Sequence, residues 1–251
     1  MSATFARTMK LTRTESKLFA RDPIALFFGL IFPALLLLAL GYLFPGFDEP
    51  AADLDGARYI DVYSPMALVL GLATLGLVTL PPILGTYRQF GILRRLRTTP
   101  VHPARLLAAQ VIVHLAVAIL ATVLAVLVVV TAFDVPFPES PLWFVVSFLL
   151  AAASIFSIGL LVGALARTTT AGQAIGMGIY FPSLFFAGLW IPRSVMPDGL
   201  LTVSDLTPLG SAVQALEDSW FGVTPDVTNL LVMAVYAVVV GLIAVKVFRW
   251  E

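Results

Sequence analysis

The sequence predicts an all-α fold, a polytopic membrane protein with six transmembrane helices, and three observations carry that prediction. Of 251 residues, 59% are hydrophobic and 12% charged, whereas soluble chains carry about 25% charged residues. Six apolar runs contain no carboxylate, and each reaches the roughly 20 residues that a helix needs to cross a bilayer core. The cations gather in two clusters separated by apolar runs, as they do where topology is set by charge. No internal repeat or low-complexity linker divides the chain, so residues 1–251 read as one transmembrane domain.

Residues 1–22 read as a retained N-terminal helix rather than a cleavable signal. Arg7, Lys10, Arg13, Lys17 and Arg21 are spread through them with no short apolar core following promptly. Phe5, Met9, Leu11, Leu18 and Phe19 recur at roughly helical spacing among the cations. That pattern predicts an amphipathic interfacial helix on an anionic membrane face; a solvated basic tail is the alternative.

The six predicted spans are Ile24 to Phe44, Ser64 to Tyr87, Leu106 to Phe133, Leu142 to Ala166, Ala171 to Ile191 and Val227 to Phe248. Pro33, Pro81, Pro82 and Pro182 fall inside them and predict kinks, which membrane helices tolerate because neighbours re-satisfy the freed carbonyls. With the N-terminus inside, thirteen of the fifteen cations lie on the inner side, and only Arg58 and Arg193 lie outside. The positive-inside bias therefore places both termini in the cytoplasm.

Residues 88–105, RQFGILRRLRTTPVHPAR, hold Arg88, Arg94, Arg95, Arg97 and Arg105. On a helical wheel Phe90, Ile92, Leu93 and Leu96 cover one side and Arg88, Arg94 and Arg95 the other, with Arg97 at the apolar edge. Pro100 stops the helix, because it pushes Thr99 toward extended geometry. Such a helix suits an acidic cleft on a soluble partner. The alternative is that the arginines only set topology; nucleic-acid binding does not fit charges held against a membrane.

Residues 192–226 form the longest predicted extracellular connection after the fifth span. Val195, Met196, Leu200, Leu201, Val203, Leu206, Leu209, Val213, Leu216 and Trp220 make it too apolar for a free loop. Short re-entrant helices broken at Pro197 and Pro208 are expected, since irregular backbone at membrane depth must be buried in protein. A plain capping loop is the alternative.

The chemistry for independent work is missing. An ion-driven carrier uses intramembrane carboxylates, and the spans hold only His114 and the terminal Lys246 as ionisable groups. His114, near Gln110, reads either as a relay or substrate contact or as a packed polar residue joining helices. Ser154 and Ser157 lack a nucleophile-elbow context and a nearby base. There is no cysteine and no phosphate-binding G-x-x-x-x-G-K-[ST] loop. No catalytic, metal or cofactor-binding residue is therefore assigned; if the chain moves a molecule uphill, the energy comes from outside the membrane, and a separate ATPase docking on the basic segment is the natural supplier. A stand-alone membrane enzyme or channel, or a non-translocating sensor of the same fold, is the competing reading. Tyr180, Phe181, Phe185, Phe186 and Trp190 cluster toward the outer end of the fifth span, where they line a hydrophobic path or belong to the interfacial belt.

Two stretches carry a resemblance to a known family. FGILRRLRTTPVHPARLLAAQ (Phe90 to Gln110) and FFAGLWIPRSVMPDGLLTVSDLTPLGSAVQAL (Phe185 to Leu216) resemble segments of the permeases of type 2 ATP-binding-cassette exporters, including the daunorubicin-resistance-like drug exporters. With the six-span plan, the likeness covers essentially the whole chain. The resemblance implies two permease chains, identical or homologous, and two ATPase chains that bind ATP and Mg, in a bacterial cytoplasmic membrane. It implies that Arg88, Phe90, Gly91, Leu93, Arg94, Leu96, Arg97, Thr99 and Pro100 form the cytoplasmic coupling helix and its flanks, braced by the N-terminal helix. Residues 193–220, with Pro192, Pro197 and Pro208 around the breaks, would form an extracellular gate, and substrate would pass between the permeases. Many members carry Glu where this chain has Arg94 and Arg95, so no salt-bridge pattern with the ATPase is carried over.

Overall fold

The computed structural model describes residues 3–54, 56–97, 103–190, 193 and 196–248. Among them the long elements are all helical: α1 (Ala3–Phe19), α2 (Pro23–Leu43), α3 (Tyr59–Gln89), α4 (Ile92–Arg97), α5 (Pro103–Phe133), α6 (Pro141–Leu165), α7 (Thr169–Phe186), α8 (Asp198–Asp205), α9 (Pro208–Trp220) and α10 (Val227–Val247). Five of these, α2, α3, α5, α6 and α10, are long and apolar enough to cross a membrane. The fifth expected span corresponds to α7. Its 18 residues reach about 27 Å at 1.5 Å per residue, and its first turns carry Thr169, Thr170, Gly172 and Gln173, so it falls short of the other five in length and apolarity.

The axis of the bundle is α3, whose most apolar stretch is 78% buried, against 11% for the peripheral α10. Around it pack α2, α5, α6, α7 and α9; α1 lies along α5, and α10 lies against α6. Lipid tails are as apolar as leucine, so burial alone does not drive helices together in a bilayer and close fit must do so. Small residues provide it. A Cβ on Gly159 of α6 would stand 1.8 Å from the Gly76 carbonyl oxygen, and one on Gly176 of α7 would stand 2.0 Å from that of Leu77.

Those two carbonyls lie where Pro81 and Pro82 have no N–H to offer. In π register Pro81 returns no N–H to Gly76 and Pro82 none to Leu77, and the turn Thr74–Thr79 is π-helical. A second π turn, Phe27–Ile31, precedes Pro33. The kinks expected at these prolines are thus taken up as π turns just before them. A third, Tyr236–Val240, contains no proline; there Ser157 of α6 donates to the Tyr236 carbonyl at 3.1 Å, a side chain inserted into the ladder.

At the end of the bundle where α3 begins, Arg58 binds Asp61 through Nε and Nη2 (3.0 and 2.8 Å) and gives Nη1 to Asp48 and to the Phe133 carbonyl, both at 2.7 Å. One fork thereby joins the α2–α3 connection, the start of α3 and the end of α5.

Candidate functional site

A groove runs between α2 and α7 over the face of α3. Two adjoining cavities, about 380 and 670 Å³, share Phe32, Tyr180 and Phe181. Leu36, Leu40, Tyr63, Met66 and Trp190 line one end, and Asp22, Phe28, Thr86, Thr169 and Gln173 line the other. The walls are apolar and aromatic because α2 offers Phe and Leu on successive turns. The floor is mildly polar: Thr74 Oγ1 and the Tyr180 hydroxyl lie 3.1 Å apart, and Thr79 satisfies its hydroxyl on the Thr74 and Leu75 carbonyls. Among the described residues Asp22 is the sole charged one of the two linings, and it caps α2 by accepting from the backbone of Ile24 and Ala25. Such a channel suits an amphipathic or hydrophobic molecule and offers little to a strongly polar one.

Of the aromatic residues singled out in the sequence, Tyr180, Phe181 and Trp190 line this groove. Phe185 and Phe186 instead meet each other at 5.5 Å and line neither cavity. His114 lies elsewhere: fully buried, it bonds the Gln110 carbonyl at 2.9 Å and sits edge-on to Phe19 and Phe156.

The basic segment is not one continuous helix from Arg88. Its wheel is interrupted, because α3 runs through Gln89 and Gly91 takes a left-handed φ of +67° before α4 starts. Arg88 therefore belongs to α3, and its guanidinium donates to the carbonyls of Ala164 and Ala166 at the end of α6. A cation suits that negative helix terminus. Phe90 is exposed at the break, and Arg94 and Arg95 are exposed on α4. Leu93 turns the other way, 1% exposed, into the cluster of Leu84, Tyr87, Leu106 and Phe248. It anchors α4 on its own bundle. Of Leu96 and Arg97 only the backbone is described, and Thr99, Pro100 and Pro192 lie outside the described residues.

Past α7, Pro197 stands at the N-cap of α8 and Pro208 in the first turn of α9. Both positions suit a residue with fixed φ and no N–H. Arg193 donates to Ser204 and to Asp205, and Ser204 in turn donates to the Phe186 carbonyl. These bonds tie the end of α7 to the α8–α9 corner. Nearly all of α9 is buried, including Trp220 at 1% exposure.

Sequence reasoning missed a buried carboxyl. Glu15 of α1 faces the bundle, where it accepts from the Tyr87 hydroxyl and from Gln110 Nε2 at 2.7 Å. Burial raises its pKa above the ordinary carboxylate value, and those two hydrogen bonds oppose the rise. A signal was present: Glu15 is the single acid in residues 1–21, and it shares a helix face with Leu11 and Phe19 at spacings of four.

A family model described as ABC-2 type transporter matches residues 7–221. The chain belongs to that family. A search of curated proteins finds no match. As an ABC-2 permease, the chain is the membrane subunit of an ABC transporter and a multi-pass membrane protein, and such permeases generally partner with an ABC ATPase subunit. The matched stretch runs from α1 through α9, so it takes in the groove, α4 and the α8–α9 segment.

Proposed function

We propose that this ABC-2 permease is the membrane half of an ATP-driven exporter that moves a hydrophobic or amphipathic molecule, a drug-like compound or a lipid, outward across a bacterial cytoplasmic membrane. The observation that carries this reading is the apolar groove between α2 and α7, with a short exposed-arginine helix directly following its floor helix. A second permease chain, identical or homologous, covers the open side of the groove, and substrate moves between the two. Two ABC ATPase subunits, holding ATP and Mg, dock on α4 from the cytoplasm, where both termini also lie. In this account α7 also crosses the membrane, as the fifth of six spans, α1 lies at the interface and braces α4, and α8 and α9 form a re-entrant outer gate. A daunorubicin-resistance-like role fits the aromatic, nearly uncharged lining.

The mechanism is a two-state one. ATP binding draws the ATPases together, α4 moves with them, and the permease pair changes from inward-open to outward-open. The permease supplies shape, not bond chemistry. The test is uptake into inside-out proteoliposomes holding both subunits, with a fluorescent phospholipid and an amphipathic dye as probes. ATP-dependent accumulation supports the reading. Equal movement by the permease alone without ATP favours a stand-alone channel, and ATP turnover that never moves either probe, even in a wider substrate screen, favours a sensor.

A further inference from the structure

The last turn of α3 grips the turn between α6 and α7. Arg88 donates to the Ala164 and Ala166 carbonyls. The Gln89 side-chain carbonyl accepts from both the backbone N–H and the hydroxyl of Thr169, each at 3.1 Å. Thr86 and Thr169 hydroxyls lie 2.8 Å apart. Gly85 completes the fit, because a Cβ there would stand 2.4 Å from the Thr168 carbonyl oxygen. The grip is therefore close backbone contact reinforced by several directed bonds, one of them from a charged donor.

Its position matters more than its strength. Toward the C-terminus, Gln89 is two residues from Gly91, after which α4 begins. On the other side, Thr169 is the first residue of α7, which forms one wall of the groove. Gly91 has open space around it, and a Cβ added there would meet nothing within 4 Å. The rigid contact lies on the α3 side of that turn, between α3 and the base of α7.

We propose that Arg88 and Gln89 are positioning residues that transmit displacement of α4 to α7, so that the α6–α7 turn moves with the docking helix and sets the width of the groove. This rests on the exporter reading above. Without the grip, α7 would follow α3 less closely at this end, and nucleotide would be hydrolysed with less reshaping of the groove.

The chain has no cysteine, so spin labels can be placed cleanly at Ile24→Cys on α2 and Gly178→Cys on α7, the latter in open space. Their separation is measured in the complex with the ATPase, before and after trapping with ATP and vanadate. The wild-type grip should give a nucleotide-dependent shift. Gln89→Ala should reduce that shift by half or more at unchanged ATP turnover, Arg88→Met with Gln89→Ala should reduce it further, and Gln89→Glu, which keeps the acceptor, should retain it. A full shift in the double variant overturns the proposal. So does a parallel fall of shift, turnover and assembled complex, which marks a merely structural role. A wild-type complex that assembles and turns over ATP with no shift overturns this inference alone, whereas a chain that binds no ATPase overturns the exporter reading and this inference with it.

Discussion

Tyr87, in the last turn of α3, donates its hydroxyl to the carboxylate of Glu15 on α1, 72 residues earlier in the chain. Gln110 of α5 supplies a second donor to the same oxygen, so one buried carboxyl joins three helices next to α4.

Glu15 should make the stability of this junction depend on pH. Its folded-state pKa is raised above the ordinary 4.5 by burial, so the folded form holds the proton more tightly than the unfolded one. The stabilisation from that proton is complete below 4.5 and is lost as pH rises through the folded value. Glu15→Gln should remove this dependence while keeping an acceptor for Tyr87. Glu15→Ala should cost about 1–3 kcal/mol at every pH, because two buried donors lose their partner. Thermal unfolding in detergent across pH, comparing each variant with wild type, measures both.

The glycine contacts predict an asymmetric response to one methyl group. Gly159→Ala and Gly176→Ala push a Cβ to 1.8 and 2.0 Å from backbone carbonyl oxygens, which cannot rotate away. Each should cost about 1–3 kcal/mol or more by forcing α3 away from its neighbours. Gly178→Ala meets nothing within 4 Å and should be neutral or stabilising by up to about 1 kcal/mol, as alanine is in a helix interior. Melting temperatures of the three purified variants decide this.

Groove residues and core residues should separate transport from stability. Phe181, which lines both cavities and is 54% exposed, should when replaced by alanine lower probe transport several-fold while leaving the melting temperature nearly unchanged. His114, fully buried between Phe19 and Phe156, should behave in the opposite way. His114→Ala should cost about 3 kcal/mol through the cavity it leaves. Paired uptake and unfolding measurements on the two variants test this contrast.

Leu93 and Arg94 are adjacent in sequence and should fail differently. Leu93→Ala empties a buried site and should destabilise by about 2–4 kcal/mol. Arg94→Ala, on the exposed face, should leave folding within about 0.5 kcal/mol and act on partner binding instead. Unfolding and ATPase-binding assays run together distinguish the two.

Hydrophobic run length made much of this fold readable, since a long carboxylate-free run has few fates other than a membrane helix. The breaks at Pro197 and Pro208 were readable because proline fixes φ and lacks an N–H wherever it stands. What stayed hidden depends on contacts between distant segments. Arg88 counts as one more surface cation in a helical wheel, but the wheel assumes an unbroken helix, and Gly91 ends that assumption with a left-handed turn. The inward turn of Glu15 depends on Tyr87 and Gln110 meeting it there. The spacing of Gly172 and Gly176 was visible, yet only the path of α3 shows that the freed Leu77 carbonyl faces Gly176. In the groove, the aromatic cluster was legible as a group, but its division into Tyr180, Phe181 and Trp190 against Phe185 and Phe186 required the rotation of α7 and the turn that follows it.

If a separate ATPase drives this permease through α4, that partner should be recoverable with it, and recovery should depend on the exposed arginines. The tagged chain is solubilised from its native membrane, and co-purifying ABC ATPase is quantified by mass spectrometry for wild type and for Arg94→Glu with Arg95→Glu. Comparable amounts of ATPase and permease are expected with wild type, weakening at high salt. A loss of at least about tenfold is expected in the double variant, at equal yield of folded permease. Absence of any ABC ATPase from the wild-type complex, or equal recovery with the charge-reversed helix, would contradict an ATPase acting through α4.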